Sequence, residues 1–284
     1  MSVGAKGEGP RNLDDRTVAG FGHEWSRFSQ TAVPQQELAD TFASYFNVFP
    51  WDDLSGNATG FDLGCGSGRW AQFVAPRVAA LHCIDASDEA LAVARRNLRR
   101  YDNVIFHHRS VDHLPFADGS MDFGYSLGVL HHVPATEAGI EACVRKLKPG
   151  APLLLYLYYA FDDAPGWFRA LWLVSDLGRR LVSRLPVSPR AAVAAVIATS
   201  VYLPLARAAR LLEGRGRDVK QFPLAFYRHR SFYTMRTDAL DRFGTRLEQR
   251  FSRDEIAAMM RRAGLNDVVF SEEPPFWCAV GRRA

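Results

Sequence analysis

The sequence predicts an α/β fold built on a mostly parallel, seven-stranded sheet, and three observations carry that prediction. Short apolar runs alternate with helical stretches from residue 58 onward, the pattern of βαβ units. A glycine-rich loop, DLGCGSG (62–68), directly follows the first apolar run. After the fifth run the alternation stops, and residues 162–245 read as helical, aromatic and Arg-rich.

The strands are expected at 58–63 (ATGFDL), 80–85 (ALHCID), 103–108 (NVIFHH), 121–127 (MDFGYSL) and 152–159 (PLLLYLYY). Helices are expected between them at 68–78, 88–100 and 135–147, the last broken by KPG (148–150). Ser252 and Glu255 form an S-x-x-E capping box opening a helix to about 263, which Gly264 ends. NDVVFSEE and PFWCAVG read as two closing strands. Ahead of the sheet, residues 1–16 are polar and Gly-rich and read as disordered. FGHEWSRF (21–28) and ELADTFASYF (37–46) have helical spacing, so 17–50 is taken as an N-terminal helical segment. The core is then 51–161 with 246–284, and 162–245 is an inserted helical cap. Ligands of open α/β sheets bind at the C-terminal ends of the strands, where a segment leaving the fifth strand is well placed to cover them. A packing or dimerisation element is the alternative reading of the insertion.

Composition narrows the class. Of 284 residues, 48% are hydrophobic and 23% charged, ordinary for a globular chain able to bury a core. The net charge is +4, but 162–245 alone holds 14 Lys and Arg against 7 Asp and Glu, so the remainder is net negative. Cys65, Cys83, Cys143 and Cys278 form no CxxC pair or zinc-spaced cluster; they read as buried thiols of a reducing compartment, with no metal expected. The N-terminus lacks an apolar signal region, so the expectation is cytoplasmic. The stretch AAVAAVIATSVYLPLARAARLL (191–212) approaches spanning length. Interrupted by Pro204, Arg207 and Arg210 and rich in Ala, it is read as a buried helix rather than a membrane span; peripheral membrane contact is the lesser reading.

In the loop, Gly64, Gly66 and Gly68 allow a tight turn with backbone close to a ligand. The spacing is not that of dinucleotide-binding loops, because Arg69 stands where the third glycine would fall. Asp85 ends the second strand 23 residues after Asp62, where a carboxylate can accept hydrogen bonds from both hydroxyls of a ribose. Together these features specify a nucleoside-bearing cofactor.

DLGCGSG, then IDAS (84–87), SVDHLPF (110–116), MDFGYSLGVLHHV (121–133) and LKPG (147–150) resemble the class I S-adenosylmethionine-dependent methyltransferases of the small-molecule type, exemplified by the quinone-biosynthesis enzymes. The resemblance covers about 58–160 and 247–281 and implies a Rossmann-like sheet. It further implies S-adenosylmethionine as cofactor and S-adenosylhomocysteine as product. By resemblance, Asp62, Gly64, Cys65 and Gly66 hold the methionine part, Asp85 and Ala86 the ribose, Val111 and Asp112 the adenine, and Ser126 and Leu127 the region near the sulfonium.

In-line methyl transfer needs positioning and exclusion of water, and a base where the nucleophile carries a proton. His131 is the preferred base of the pair His131 and His132 after the fourth strand, with His229 and Tyr233 as further catalytic candidates. Within AFYRHRSFYTMRTDALDRFGTR (225–246), Tyr227, Arg230 and Arg236 are substrate-binding candidates, an arginine fork suiting an anionic group. Trp25, with Phe21 and Tyr45, is expected to close the pocket from the N-terminal side.

The expected partner is a small molecule bearing an O, N or C acceptor, with no nucleic acid. A nucleic-acid methyltransferase would use the basic segment, but the SLGV motif (126–129) differs from the Asn/Asp-Pro-Pro-aromatic motif of base methylation. A cofactor-binding protein without methyl transfer is the other alternative. Monomer and homodimer are both compatible with the apolar cap.

Overall fold

The computed structural model describes residues 12–160, 166–219 and 222–284. The chain begins with α1 (Asp15–Arg27) and α2 (Gln35–Tyr45), then runs β1 (Thr59–Leu63), α3 (Ala71–Val74), β2 (Ala80–Asp85), α4 (Asp88–Asn97), β3 (Val104–His108), β4 (Phe123–Leu127), α5 (Thr136–Lys146) and β5 (Pro152–Tyr156). Four helices follow, α6 (Gly166–Val182), α7 (Val187–Ile197), α8 (Leu203–Gly214) and α9 (Phe232–Gly244). The chain closes with α10 (Arg253–Arg262), β6 (Leu265–Phe270) and β7 (Cys278–Arg283). The sheet order is β3-β2-β1-β4-β5-β7-β6, with β7 antiparallel to both neighbours.

The strands form where the apolar alternation predicts them because both sheet faces are covered. One face packs Leu81, Phe123, Tyr125 and Leu154 against α2, α3 and α4; the other packs Phe61, Leu63, Leu153 and Leu155 against α5 and α10. β1 and β4 pair with Gly60 beside Phe123 and Phe61 beside Gly124. On each face the Phe ring of one strand lies over the glycine of the other, in the space a Cβ would need. Strand order reverses at β1, so a crevice opens beyond the carboxyl ends of β1 and β4.

Four expectations are corrected. The helix expected over 68–78 is only the four residues of α3 plus a 3-10 turn, Ala75–Arg77, because Pro76 has no N–H to continue the ladder. The strand expected over 152–159 ends at Tyr156. The disorder expected over 1–16 does not extend to 12–16: Asn12 is buried and exchanges two hydrogen bonds with the Ala135 backbone, and Asp14 caps α1. Residues 1–11 lie outside the described residues. The helix expected to be buried at 191–212 runs continuously from Ser188 to Gly214, and its most apolar window is only 28% buried. Its inward stripe of Ala191, Ala194, Ala198, Tyr202, Ala206 and Ala209 lies at helical spacing, and most of it packs on α9; Val196, Val201 and Leu211 are exposed. A π-helical turn, Ala198–Tyr202, precedes Pro204 and takes up the hydrogen bond that proline cannot make.

The exchange of glycine and phenylalanine across β1 and β4 predicts a stability test. Gly124→Ala, which drives a Cβ into the Phe61 ring, is expected to cost about 1–3 kcal/mol. Thermal unfolding followed by circular dichroism should show the melting point lowered by roughly 3–10 °C.

Candidate active site

The crevice is one cavity of about 1380 Å³. Its floor is the loop after β1. Gly64 and Cys65 donate their N–H groups to the Ile84 carbonyl at 2.8 and 3.0 Å, which folds the loop back over β2. Gly66, at φ +53°, donates its N–H to Asp85 Oδ2 at 2.9 Å, and Ser87 donates its N–H to Asp85 Oδ1 at 2.9 Å. The Asp85 carboxylate is therefore fixed at the cavity wall with lone pairs still free. Burial pushes its pKa up, against the lowering effect of those backbone N–H groups.

Trp25 of α1 closes over the loop. A Cβ on Gly66 would stand 2.9 Å from the indole, so only glycine admits this approach. The Arg69 guanidinium sits 5.3 Å from the Trp25 ring and 4.5 Å from the Trp70 ring. Thr17, Phe21, Glu24 and Trp25 all line the cavity from one face of α1.

The opposite wall is α9. Thr234, Thr237, Asp238 and Asp241, at helical spacing, all line the cavity. Tyr227 donates its hydroxyl to Asp238 at 2.9 Å, and Tyr158 donates to Asp241 at 2.7 Å. Burial pushes Asp238 up to about 6, with Arg69 opposing. Burial, with Asp241 and Asp238 nearby, holds Glu24 well above the usual carboxylate range. No hydrogen bond or ion pair engages the Glu24 carboxylate among the described residues. Three of the cavity's arginines are engaged: Arg230 donates to Thr41 Oγ1 at 2.7 Å and to the Glu37 carbonyl, and Arg242 and Arg250 pair with Glu248.

Of the expected cofactor residues, Gly64, Cys65, Gly66, Asp85, Ala86, Val111 and Leu127 line the cavity. Asp62 and Ser126 lie behind the wall. Tyr125 donates to Asp62 at 3.0 Å, and burial pushes that carboxyl up to about 8; Ser126 donates to the Leu63 carbonyl. Asp112 is exposed and accepts the Asn12 N–H at 2.7 Å, outside the cavity lining.

Of the expected catalytic and substrate residues, Trp25, Tyr227 and Arg230 line the cavity. The others do not. His229 is a surface residue paired with Glu213 at 2.6 Å. Tyr233 and Arg236 both pack on Phe28, on a face of α9 turned away from the cavity. His131 is fully buried, its ring stacked 3.8 Å from Tyr158 and neither ring nitrogen partnered. Its neighbour His132 is the histidine at the cavity wall. His132 Nδ1 lies 2.6 Å from the Leu247 carbonyl, which only accepts, so Nδ1 carries the proton. Burial lowers the pKa of both imidazoles. Sequence reasoning counts Asp238 among the functional groups of 225–246 without giving it a role, and misses Glu24 and Asp241. The α9 polar stripe was readable, since 234, 237, 238 and 241 share one helical face.

A Rossmann-like sheet with a glycine loop facing a carboxylate at the end of β2 defines a class of nucleoside-cofactor enzymes. Residues 61–155 match the methyltransferase domain family. The chain is 29% identical over 136 residues to a ubiquinone biosynthesis O-methyltransferase of Aromatoleum aromaticum, covering 45% of this chain and 58% of the relative. It is 38% identical over 105 residues to one of Xanthomonas oryzae, covering 36% and 44%. The chain thus spans about half the length of these relatives. Against 27-O-demethylrifamycin SV methyltransferase of Amycolatopsis mediterranei it is 27% identical over 221 residues, 75% of this chain and 72% of that protein. Its fold is similar to an O-methyltransferase family protein from Burkholderia thailandensis, with TM-score 0.54, 17% identity and coverage of 93% and 58%. It is also similar to the CurJ carbon methyltransferase, with TM-score 0.55, 11% identity and coverage of 95% and 61%. Residues 61–155 thus carry a methyltransferase domain, and the sheet around them has the Rossmann-like fold of the class I S-adenosylmethionine-dependent methyltransferases.

S-adenosylmethionine fits the residues present. The Asp85 carboxylate, with free lone pairs, suits a ribose diol, and the positive-φ glycines Gly64 and Gly66 bring bare backbone to the cavity floor. Asp85→Ala removes both diol acceptors. The dissociation constant for S-adenosylhomocysteine, measured by calorimetry, should rise at least about a hundredfold.

Proposed function

We propose that this chain methylates a hydroxyl group on a small molecule bound between α1 and α9, with Asp238 as the base. The observation that carries the reading is a single cavity, lined on one side by the glycine loop and Asp85 and on the other by the polar stripe of α9. At about 1380 Å³ it exceeds the roughly 300–1,000 Å³ of a site for one small ligand. The O-methyltransferase names of the sequence relatives support oxygen as the acceptor atom.

Bound S-adenosylmethionine supplies an electrophilic methyl group. The chain's own residues then bind the acceptor, exclude water and remove a proton. Asp238, raised to about 6, is still mostly ionised at neutral pH and so can take a hydroxyl proton. The Tyr227 hydroxyl orients it. Phe21, Trp25, Tyr45 and Tyr156 supply apolar walls. Asp238 and Asp241 line this region while Arg230, Arg242 and Arg250 are engaged, which favours a neutral or cationic acceptor over an anionic one. This replaces the expectation of an anionic group held by Arg230 or Arg236. The same carboxylates disfavour a nucleic-acid backbone.

Asp238→Asn should lower kcat by about a hundredfold or more, with S-adenosylhomocysteine affinity unchanged. In the wild type kcat should rise with pH through about 6, because only the ionised carboxylate accepts the proton. The Asn variant should lose that limb; an unchanged profile would remove Asp238 from the reaction.

A further inference from the structure

Helix α6 is inside out. Trp172, Asp176, Arg179 and Ser183 recur at helical spacing on its inward side; the last three are buried, and Trp172 is half-buried beside Arg242 and Arg250. Arg179 donates to Asp176 at 2.7 Å and to the Thr245 carbonyl at 3.0 Å, which fixes the rotation of the helix. The outward side carries Leu173, Val174, Leu177 and Leu181, which are 61%, 70%, 62% and 62% exposed. This is an unbroken apolar stripe facing solvent, where an amphipathic helix of a globular protein ordinarily turns polar residues outward.

The charge around the stripe has one sign. From 166 to 212 the sequence has seven arginines and a single acidic residue, Asp176. Asp176 is buried and paired with Arg179 and Arg180. Arg169, Arg180 and Arg184, on α6 and just beyond it, are exposed. The neighbouring α7–α8 helix adds exposed Val196, Val201 and Leu211 together with exposed Arg207 and Arg210.

We propose that the outward face of α6 docks on an anionic lipid surface. The helix would lie in the interface, with the leucine stripe among the acyl chains and the arginines at the headgroups. An apolar face bordered by exposed arginines is what such a surface recognises. A second copy of the chain fits less well: a two-fold interface sets this patch against its own copy and brings two arginine-bordered faces of the same charge together. A spanning helix fits less well too. The long apolar helix Ser188–Gly214 commits its alanine stripe to the fold, and Arg190 donates to the Gly244 carbonyl. Phe168, in the first turn of α6, lines the cavity, so docking would bring the cavity close to the bilayer.

The test is co-sedimentation of the full chain with vesicles of phosphatidylcholine alone and of phosphatidylcholine and phosphatidylglycerol in equal parts. Wild type is expected to pellet with the mixed vesicles and to be released by high salt. Leu177→Glu with Leu181→Glu is expected to stay in the supernatant. Each basic residue at an anionic surface is worth about fivefold in partitioning, so Arg169→Ala with Arg184→Ala should weaken binding about 25-fold. All these side chains are exposed, so both variants should keep the wild-type melting point and S-adenosylhomocysteine affinity. Wild type remaining in the supernatant with both vesicle types overturns the proposal. So does a concentration-dependent dimer that the leucine variant dissociates, which would assign the stripe to a second copy.

Discussion

The pairing of β1 with β4 is the constraint on which the rest of the molecule depends. It is the point at which strand order reverses, so it creates the crevice. Its two phenylalanines need the facing glycines, which ties the sequence at 60–61 to that at 123–124. The pairing also sets the two turns that leave these strands. Val129, just past β4, occupies the space beside Gly64 that a Cβ would need, so the turn after β4 packs directly on the cofactor loop. A shift of one residue in this register would turn the rings of Phe61 and Phe123 to the wrong faces and separate these turns.

Burial governs the chemistry of the crevice. Asp62, Asp85, Asp238 and Glu24 all have their pKa raised chiefly by desolvation, yet they end in different states because their partners differ. Asp85 receives two backbone N–H groups, which favour its charge. Asp62, behind the wall, has one phenol and reaches about 8, so it is mostly protonated at neutral pH. Asp238 reaches about 6, below Asp62, held down by the field of Arg69 and the Tyr227 hydroxyl. A carboxylate near 6 is the kind of group that can both hold charge and release it in one catalytic cycle.

The sheet was legible because period and length distinguish buried strands from helices, and because the glycine loop and Asp85 lie at strand ends that the pattern marks. Other features were decided by tertiary packing. His131 and His132 are adjacent and chemically identical; only the 3-10 turn Leu130–His132 decides which ring meets the cavity. Residue type alone points to Tyr233 and Arg236, while α9 directs Thr234, Thr237, Asp238 and Asp241 inward. Helical phase, applied to the same 22 residues, separates the two groups. Asn12 gave no signal, because its burial depends on the Ala135 backbone more than a hundred residues away.

The helices after β5 follow a single logic once they are read by face. α9 turns its polar stripe to the cavity, and α7 and α8 turn small residues toward α9, where close approach matters more than side-chain volume. That leaves α6 to cover the remaining side with a polar inner face, since its neighbours there are the Thr245 carbonyl, Arg242 and Arg250. A helix whose inner face must be polar can still be amphipathic only if its outer face is apolar. The exposed leucines are therefore not a lapse in solubility tolerated at random: a polar outer face was open to the sequence at no cost in packing, and the sequence puts Leu173, Val174, Leu177 and Leu181 there instead.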